Sequence, residues 1–517
     1  MKTIVICADG TWNTPDMSDN GIPSPTNVWK FFHAVAEREA SGIKQEKYYH
    51  PGVGTDGGKL RRLIGGGTGK GLDQNIKSAY RWLAGTYAAG DRIFLIGFSR
   101  GAYTVRSLGG MISKCGLADL PFGNHPKQAW AAVDRIFDAY RADGPSSVAA
   151  AADLPFHNAE AGTLPAKSTR IRFIGVWDTV GALGIPDDLA FLNLLDNPDK
   201  HRFHDTEIST VVDIARHAVA IDEWRQSFLP TLWQPNPDID MQQVWFPGVH
   251  GNIGGGYART GLSDGALEWM VGEAQKAGLG FNPDTIAQIR PDPRDMLHDS
   301  LKGVFKSLKT RPRAVPRLSN AHPDPAIHAS ALERQKDPPI TAGSYWPHRP
   351  LPATVDVFAR ELWNATGIYL EKGQRYRLEA QGEWKDAEIT AGPAGTGDGK
   401  FQPREFLHLA GTAMGKLESL TRRLMKNEQL DFWLTKRVED AAWFALIGVI
   451  ANNHPPPKRK NDERIVDRLP HEVFVIGTGL DITPQASGYL YCFANDAWQT
   501  YGNNRGNLRL SVTPLTV

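Results

Sequence analysis

The stretch DRIFLIGFSRGAYTVRSL, residues 91–108, decides how the chain folds. Its residues 93–96, Ile-Phe-Leu-Ile, form a continuous apolar run of the kind a fully buried parallel strand shows. Ala102, Val105, Leu108, Met111 and Ile112 then recur at helical spacing. Between them Gly97-Phe98-Ser99-Arg100-Gly101 must carry the chain from strand to helix, and the two glycines permit a tight path. A Gly-x-Ser-x-Gly string alone says little in a chain with 52 glycines among 517 residues. Set between a strand and a helix, it is the arrangement that lifts a serine hydroxyl to the carboxyl edge of a sheet. The competing reading is a glycine-rich turn with an incidental serine.

On either side of this corner, strand-like and helical stretches alternate. Residues 3–7 and 171–177 read as buried strands, and 244–246 as a further one. Residues 28–39, 75–84 and 264–277 carry apolar residues at helical period, and 129–152 reads as a helical insertion. The pattern predicts an α/β fold: a mostly parallel sheet with helices on both faces. Residues 290–352 are rich in proline and charge and give few signals. From about residue 355 short strand-like pieces separated by turns take over, at 355–359, 376–380, 473–476, 489–493 and 508–512, which predicts a small antiparallel β-sandwich. The expected domains are 1–352 and 353–517, with a helical insertion near 407–436 whose Met414, Leu417, Leu420, Leu424 and Met425 share one face.

Composition narrows the function. The formal net charge of +1 gives no basic surface for a nucleic-acid partner. Cys7, Cys115 and Cys492 are far apart, with neither metal-ligand spacing nor a disulfide framework. The first residues, MKTIVICADGTWN, read as a strand and turn rather than a cleaved leader. No apolar run is long enough to span a bilayer. The expectation is a product that starts in the cytoplasm and, if exported, leaves without a signal peptide.

A serine hydroxyl becomes a nucleophile only when a base takes its proton and an acid orients that base. IRFIGVWDTVGALG places Asp178 directly after a buried strand, and QVWFPGVHGNIGGGY places His250 just past another. Either residue alone at a strand end is more often structural. Together, Ser99, Asp178 and His250 stand in the chain order of α/β-hydrolases. Asp9 and the pair Asp222-Glu223 are rival carboxylates. The amides of Gly10 or Thr11, with that of Arg100, are candidates for an oxyanion hole. Gly65 to Gly71 imitates a phosphate-binding loop, but Ile64 replaces its first glycine and Gly71 its Ser/Thr, so it is read as a glycine-rich loop beside the site. In the tail, NDAWQTYGNNRGNLRLSV brings Asp496, Thr500, Asn503 and Asn504 together, compact oxygen ligands that suit a hard cation such as calcium. The alternative is an Asn/Gly-rich hairpin turn.

The pieces ADGTWN, TNVWKFF, YYHPGVGT, GFSRGAYTVRSLGGMI, VWDTVGALG, RHAVAIDEWR and VHGNIGGGY resemble, in order, the α/β-hydrolase family that includes the type VI secretion phospholipase effectors. That resemblance covers residues 1 to about 350. It implies Ser99 as nucleophile, Asp178 and His250 as the rest of a triad, no cofactor for catalysis, and a lipid or acylated ester substrate. It also implies a secretion-apparatus or immunity partner. The family usually has Ser-Asp after the histidine, where this chain has Gly251-Asn252. Residues 355–517 resemble the bacterial PA-I galactophilic lectin, on NDAWQTYGNNRGNLRLSV and ELWNATGIYLEKGQRYRLEAQGEW. This likeness implies calcium held by Asp496, the Thr500 carbonyl, Asn503, Asn504 and a carbonyl near Ala387, with a galactoside-type glycan as partner. The expected function is a lipase or phospholipase working through an acyl-enzyme. The alternatives are a carbohydrate acetyl esterase, or a glycan-binding protein with a scaffold hydrolase domain.

Overall fold

The computed structural model describes residues 1–10, 13–14, 16–52, 69–121, 126–142, 153–157, 169–181, 207–302, 305, 308–396, 436–454 and 470–515. They form two units, Met1–Arg313 with Asn320–Tyr345, and Ala314–Ser319 with Trp346–Val517.

The first unit is built on strands β1 (Thr3–Ala8), β2 (Gln45–His50), β3 (Arg92–Phe98), β4 (Ile171–Trp177), β5 (Val212–Ala220) and β6 (Asp240–Phe246). They lie in the order β2-β1-β3-β4-β5-β6, and every pairing is parallel. Because side chains alternate along a strand, β1 feeds two cores. Ile4 and Ile6 join Leu72, Ile76, Val105 and Leu108, from helices α2 (Gly69–Thr86) and α3 (Arg100–Cys115). Val5 and Cys7 join Val28, Phe31, Leu267 and Met270, from helices on the opposite face. The sequence-derived pattern of a parallel sheet covered on both sides is the observed one. Cys7, Cys115 and Cys492 are buried and free.

Several boundaries differ for local reasons. The helix expected over 28–39 is α1, Asn27–Ala34, because Val35 turns extended and the Ala36 amide donates to the Gly280 carbonyl (3.0 Å). The insertion at 129–152 is helix α4, Pro126–Arg141, and residues 143–152 lie outside the described residues. So do the glycine-rich 64–68 and nearly all of the helix expected near 407–436. Strands β2 and β5 went unread. QEKYYH lacks an apolar run, and VDIARHAVA buries Arg216, which is paired with Glu273 (2.6 Å), and His217.

In the second unit the strands are antiparallel. β7 (Ala353–Phe358), β9 (Tyr376–Asp386), β10 (Ile389–Ala391), β13 (Gly479–Ile482) and β15 (Asn504–Pro514) form one sheet. β8 (Asn364–Leu370), β11 (Leu446–Ala451), β12 (Glu472–Val475) and β14 (Gly488–Ala494) form the other. Leu378, Trp384 and Leu510 of the first sheet share one apolar core with Leu446, Leu490 and Cys492 of the second, so the two sheets pack face to face.

Candidate active site

Ser99 occupies the corner between β3 and α3 with φ 56° and ψ −123°. An L-residue keeps such angles only where its surroundings hold it. Here close packing does so. A Cβ on Gly97 would lie 2.6 Å from the Gly101 carbonyl oxygen, and one on Gly101 would lie 2.1 Å from that of Ala8. Neither position admits a side chain. The Ser99 amide donates to the Trp177 carbonyl (3.1 Å), tying the corner to the strand that leads into Asp178.

Asp178 follows β4, also with positive φ (37°), and its amide donates to the Ala218 carbonyl on β5 (2.8 Å). Its carboxylate is fully buried. Oδ2 lies 2.6 Å from His250 Nδ1 and accepts from Arg313 Nη2 (3.0 Å). Oδ1 accepts from Arg313 Nη1 (2.7 Å) and from the Ala220 amide (3.0 Å). Burial pushes the Asp178 carboxyl up, but the Arg313 charge and the His250 hydrogen bond override it, holding the group far below the usual carboxylate range. Facing a permanent carboxylate, Nδ1 of His250 carries the proton and Nε2 is the basic atom.

His250 opens the short helix α5 (His250–Gly254), just after β6. Its amide donates to Glu223 Oε2 (3.1 Å), and its ring lies between Phe98 (centroids 4.6 Å apart) and Phe228 (4.9 Å). Burial lowers the imidazole's pKa and outweighs the upward pull of Asp178. The structure thus brings Asp178 and His250 into direct contact and sets Phe98, the neighbour of Ser99, on the imidazole. Among the described residues no hydrogen bond joins the Ser99 hydroxyl to His250, a bond that is often long before substrate binds.

The rival carboxylates are engaged elsewhere. Asp222 accepts from the Gly248 amide (2.7 Å) and Tyr345 Oη (2.9 Å), and Glu223 pairs with Arg225 (2.8 Å). Asp9 accepts from Thr26 (2.6 Å), Tyr49 (2.8 Å) and the Gly10 amide (2.7 Å). The Gly10 amide thus donates to Asp9, and Gly10 itself lies against Ser99. Thr11 lies outside the described residues. Arg100 supplies the first amide of α3, next to Ser99 in the chain. Asn252 is buried; it accepts from the amides of Val249 (3.3 Å) and His298 (3.1 Å), closing the turn behind His250.

In the tail, Asp496 is buried at the end of β14. Its Oδ1 accepts from Thr500 Oγ1 (2.6 Å) and the Ala497 amide (2.7 Å), and its Oδ2 from Asn504 Nδ2 (3.0 Å). Asn503 Nδ2 donates to Asp386 Oδ1 (2.8 Å). The side-chain oxygens of Asn503 and Asn504 are buried without a hydrogen-bond partner. Among the described residues no group of three or more His, Cys, Asp or Glu is placed to hold a metal, so a cation here would rest largely on amide and backbone oxygens beside Asp496.

A strained serine corner and a buried aspartate–histidine pair, all following parallel strands, define an α/β-hydrolase-like unit. Residues 2–273 match the family described as the catalytic domain of Tle1-like type VI secretion phospholipase effectors, and the chain belongs to that family. An uncharacterized protein of Saccharomyces cerevisiae, YEL023C, is 30% identical over 257 residues, which are 46% of this chain and 33% of the yeast protein. The chain thus spans about a third of the curated relative it matches. Among solved structures, the Tle1 effector bound to the VgrG spike of a type VI secretion system is 18% identical over 50% of this chain and 51% of that one, with a TM-score of 0.29. The N-terminal domain of EclA, a PllA-like lectin, is 14% identical over 31% of this chain and 95% of that one, with a TM-score of 0.18. No helix among the described residues is long and apolar enough to cross a membrane.

Proposed function

We propose that the chain is a serine ester hydrolase that acts on lipid or phospholipid through an acyl-enzyme, with residues 1–352 as the catalytic domain. The observation that carries this reading is the 2.6 Å contact between His250 Nδ1 and Asp178 Oδ2 beside the strained Ser99 corner. Ser99 Oγ attacks the ester carbonyl while His250 Nε2 takes its proton. Asp178 holds the ring and stabilises the imidazolium. The Arg100 amide faces the developing oxyanion, and His250 then returns the proton to the leaving alkoxide. Water repeats the sequence on the acyl-enzyme and releases the acid. Family membership favours phospholipid over acetylated sugar. It also supports a route out of the cytoplasm on a secretion apparatus, without a cleaved leader. A side-by-side assay on phospholipid vesicles, p-nitrophenyl esters of increasing chain length and acetylated sugars tests the reading. Turnover of acetylated sugar alone would replace the lipase with a carbohydrate esterase.

For residues 353–517 we propose a lectin-like domain that holds calcium. The orphaned oxygens of Asn503 and Asn504 beside the Asp496 carboxylate support it, since buried polar atoms without partners are costly and a hard cation satisfies oxygens of this kind. Asp496, Asn503, Asn504 and the Thr500 carbonyl would hold the ion, with a carbonyl near Ala387 as a further ligand. Calcium would offer a glycan's hydroxyls a ligand position and takes no part in the ester chemistry.

A further inference from the structure

Asp178 is gripped by a residue that the hydrolase reading does not use. Arg313 places Nη1 2.7 Å from Oδ1 and Nη2 3.0 Å from Oδ2, a two-pronged contact with both partners buried. The guanidinium is itself fixed, because Nη1 also donates to the Ala220 carbonyl (2.8 Å) and Nη2 to the Phe228 carbonyl (2.5 Å). Its backbone approach is fixed as well. The Gln226 amide donates to the Lys309 carbonyl (2.9 Å), and the Arg311 amide to that of Trp224 (2.7 Å). The segment carrying Arg313 is therefore zipped onto the loop that presents Glu223 and Phe228 to His250. A carboxylate held by the His250 and Ala220 contacts alone could tilt about its Cβ–Cγ bond; the fork stops that rotation.

We infer that Arg313 is a positioning residue of the proposed hydrolase: it locks the Asp178 carboxylate plane so that Oδ2 meets His250 Nδ1, and it offsets that carboxylate's charge so that His250 remains a neutral base. This rests on the reading of Ser99, Asp178 and His250 as a triad. Arg313 touches no reacting atom and acts through Asp178. The charged and titratable groups around the pair are His217 on β5, Glu223 and Arg225 after it, and Arg313 itself. Removing the Arg313 cation leaves Asp178 pulling harder on the imidazolium, so the imidazole's pKa rises.

The test measures kcat, KM and the pH dependence of kcat/KM for p-nitrophenyl butyrate on the full chain. Arg313→Met is expected to lower kcat about 10- to 100-fold at constant KM and to move the acid limb upward by about one pH unit. Arg313→Lys keeps the charge and loses the fork, so kcat falls about tenfold while the acid limb stays near its wild-type position. Should Arg313→Met not fold, Arg313→Lys decides alone, and wild-type kcat in it overturns the inference. A purely structural arginine would lower the melting temperature yet leave kcat and the acid limb of the folded enzyme unchanged, which also overturns it. Ser99→Ala separates the two levels. If that variant keeps its turnover, the triad falls and Arg313 with it. If it is dead while both Arg313 variants turn over normally, the triad stands and the inference about Arg313 fails.

Discussion

Asp178 and Asp496 are both buried carboxylates just past the end of a strand, yet they are treated in opposite ways. Asp178 has a counter-charge inside the protein: Arg313 grips both of its oxygens, and its pKa is driven down against the cost of burial. Asp496 is surrounded by Thr500, Asn504 and the Ala497 amide, neutral donors that together with the nearby Arg437 cation only partly offset burial, and its pKa is pushed up. Beside it two amide oxygens go without partners. A buried charge is stable only when it is compensated. The first site is electrostatically complete within this chain, as the proposed metal-free base system needs. The second is an acceptor cluster whose carboxylate Arg437 and neutral donors leave under-compensated, a deficit that a bound cation would make up.

Breaking the first site should give the largest effects. Ser99→Ala removes the proposed nucleophile and should lower ester turnover by about 10⁴-fold or more, with the melting temperature retained. Near-normal turnover in the folded variant removes Ser99 from the chemistry. Asp178→Asn should cost about 10³- to 10⁴-fold, because the amide cannot hold the imidazole in the right tautomer. It should also destabilise the protein by about 3–5 kcal/mol, since the Arg313 guanidinium is left buried without its anion. Calorimetry beside kinetics checks both parts. Asp496→Asn, by contrast, should leave turnover of a small soluble ester unchanged.

Local pattern made one of these sites far more legible than the other. The 93–96 run, the Gly97 and Gly101 pair and the helical spacing after them place Ser99 without any tertiary information, and Asp178 and His250 each follow an apolar strand directly. Arg313 could not be found in this way. It lies in the proline- and charge-rich 290–352, among Arg311 and Arg317, and its partner is 135 residues away in the chain. Nothing periodic marks the arginine that turns inward. The hydrogen bond from the Gly10 amide to the preceding side chain, Asp9, is likewise invisible in the pattern of residues. Strand β11 shows no alternation, since LIGVIA is buried at every position and reads equally well as part of a helix, while β8 alternates in burial but puts polar Asn364 and Thr366 at inward positions.

Supplying the missing charge sharpens the contrast at a smaller scale. Calcium at about 100 times its dissociation constant should stabilise residues 353–517 by about 2.7 kcal/mol, since a ligand bound only to the folded state adds that much. Chelation should remove the gain, lower the melting temperature and leave small-ester turnover intact. Asp496→Ala should abolish the response to calcium. A melting curve that ignores both calcium and chelator would leave the tail cluster as an ordinary turn.

The smallest effect is also the one whose sign differs between the sites. In Asp178 the folded pKa is depressed, so its contribution to stability is present above the unfolded value of about 3.9 and is lost as pH falls towards the folded one. In metal-free protein Asp496 is raised, so its contribution is present below about 3.9 and is lost as pH rises through the folded value. Histidines add to the first trend. Burial lowers His217 to about 3 and His328 to about 4, so each contribution is full above about 6.5 and is lost as pH falls through the folded value. Calorimetry between pH 2 and 7 on wild type, Asp178→Asn and Asp496→Asn separates these terms as differences. Without calcium, Asp496→Asn should gain stability relative to wild type as pH rises, because the amide never carries the buried charge. Saturating calcium should reverse that sign, because the carboxylate then has its cation and the amide is the weaker ligand. Asp178→Asn should become worse relative to wild type as pH rises through the acid range, with or without calcium. If Asp496→Asn followed the same course as Asp178→Asn in metal-free protein, Asp496 would have to be compensated within the chain, and the contrast between the two carboxylates would fail.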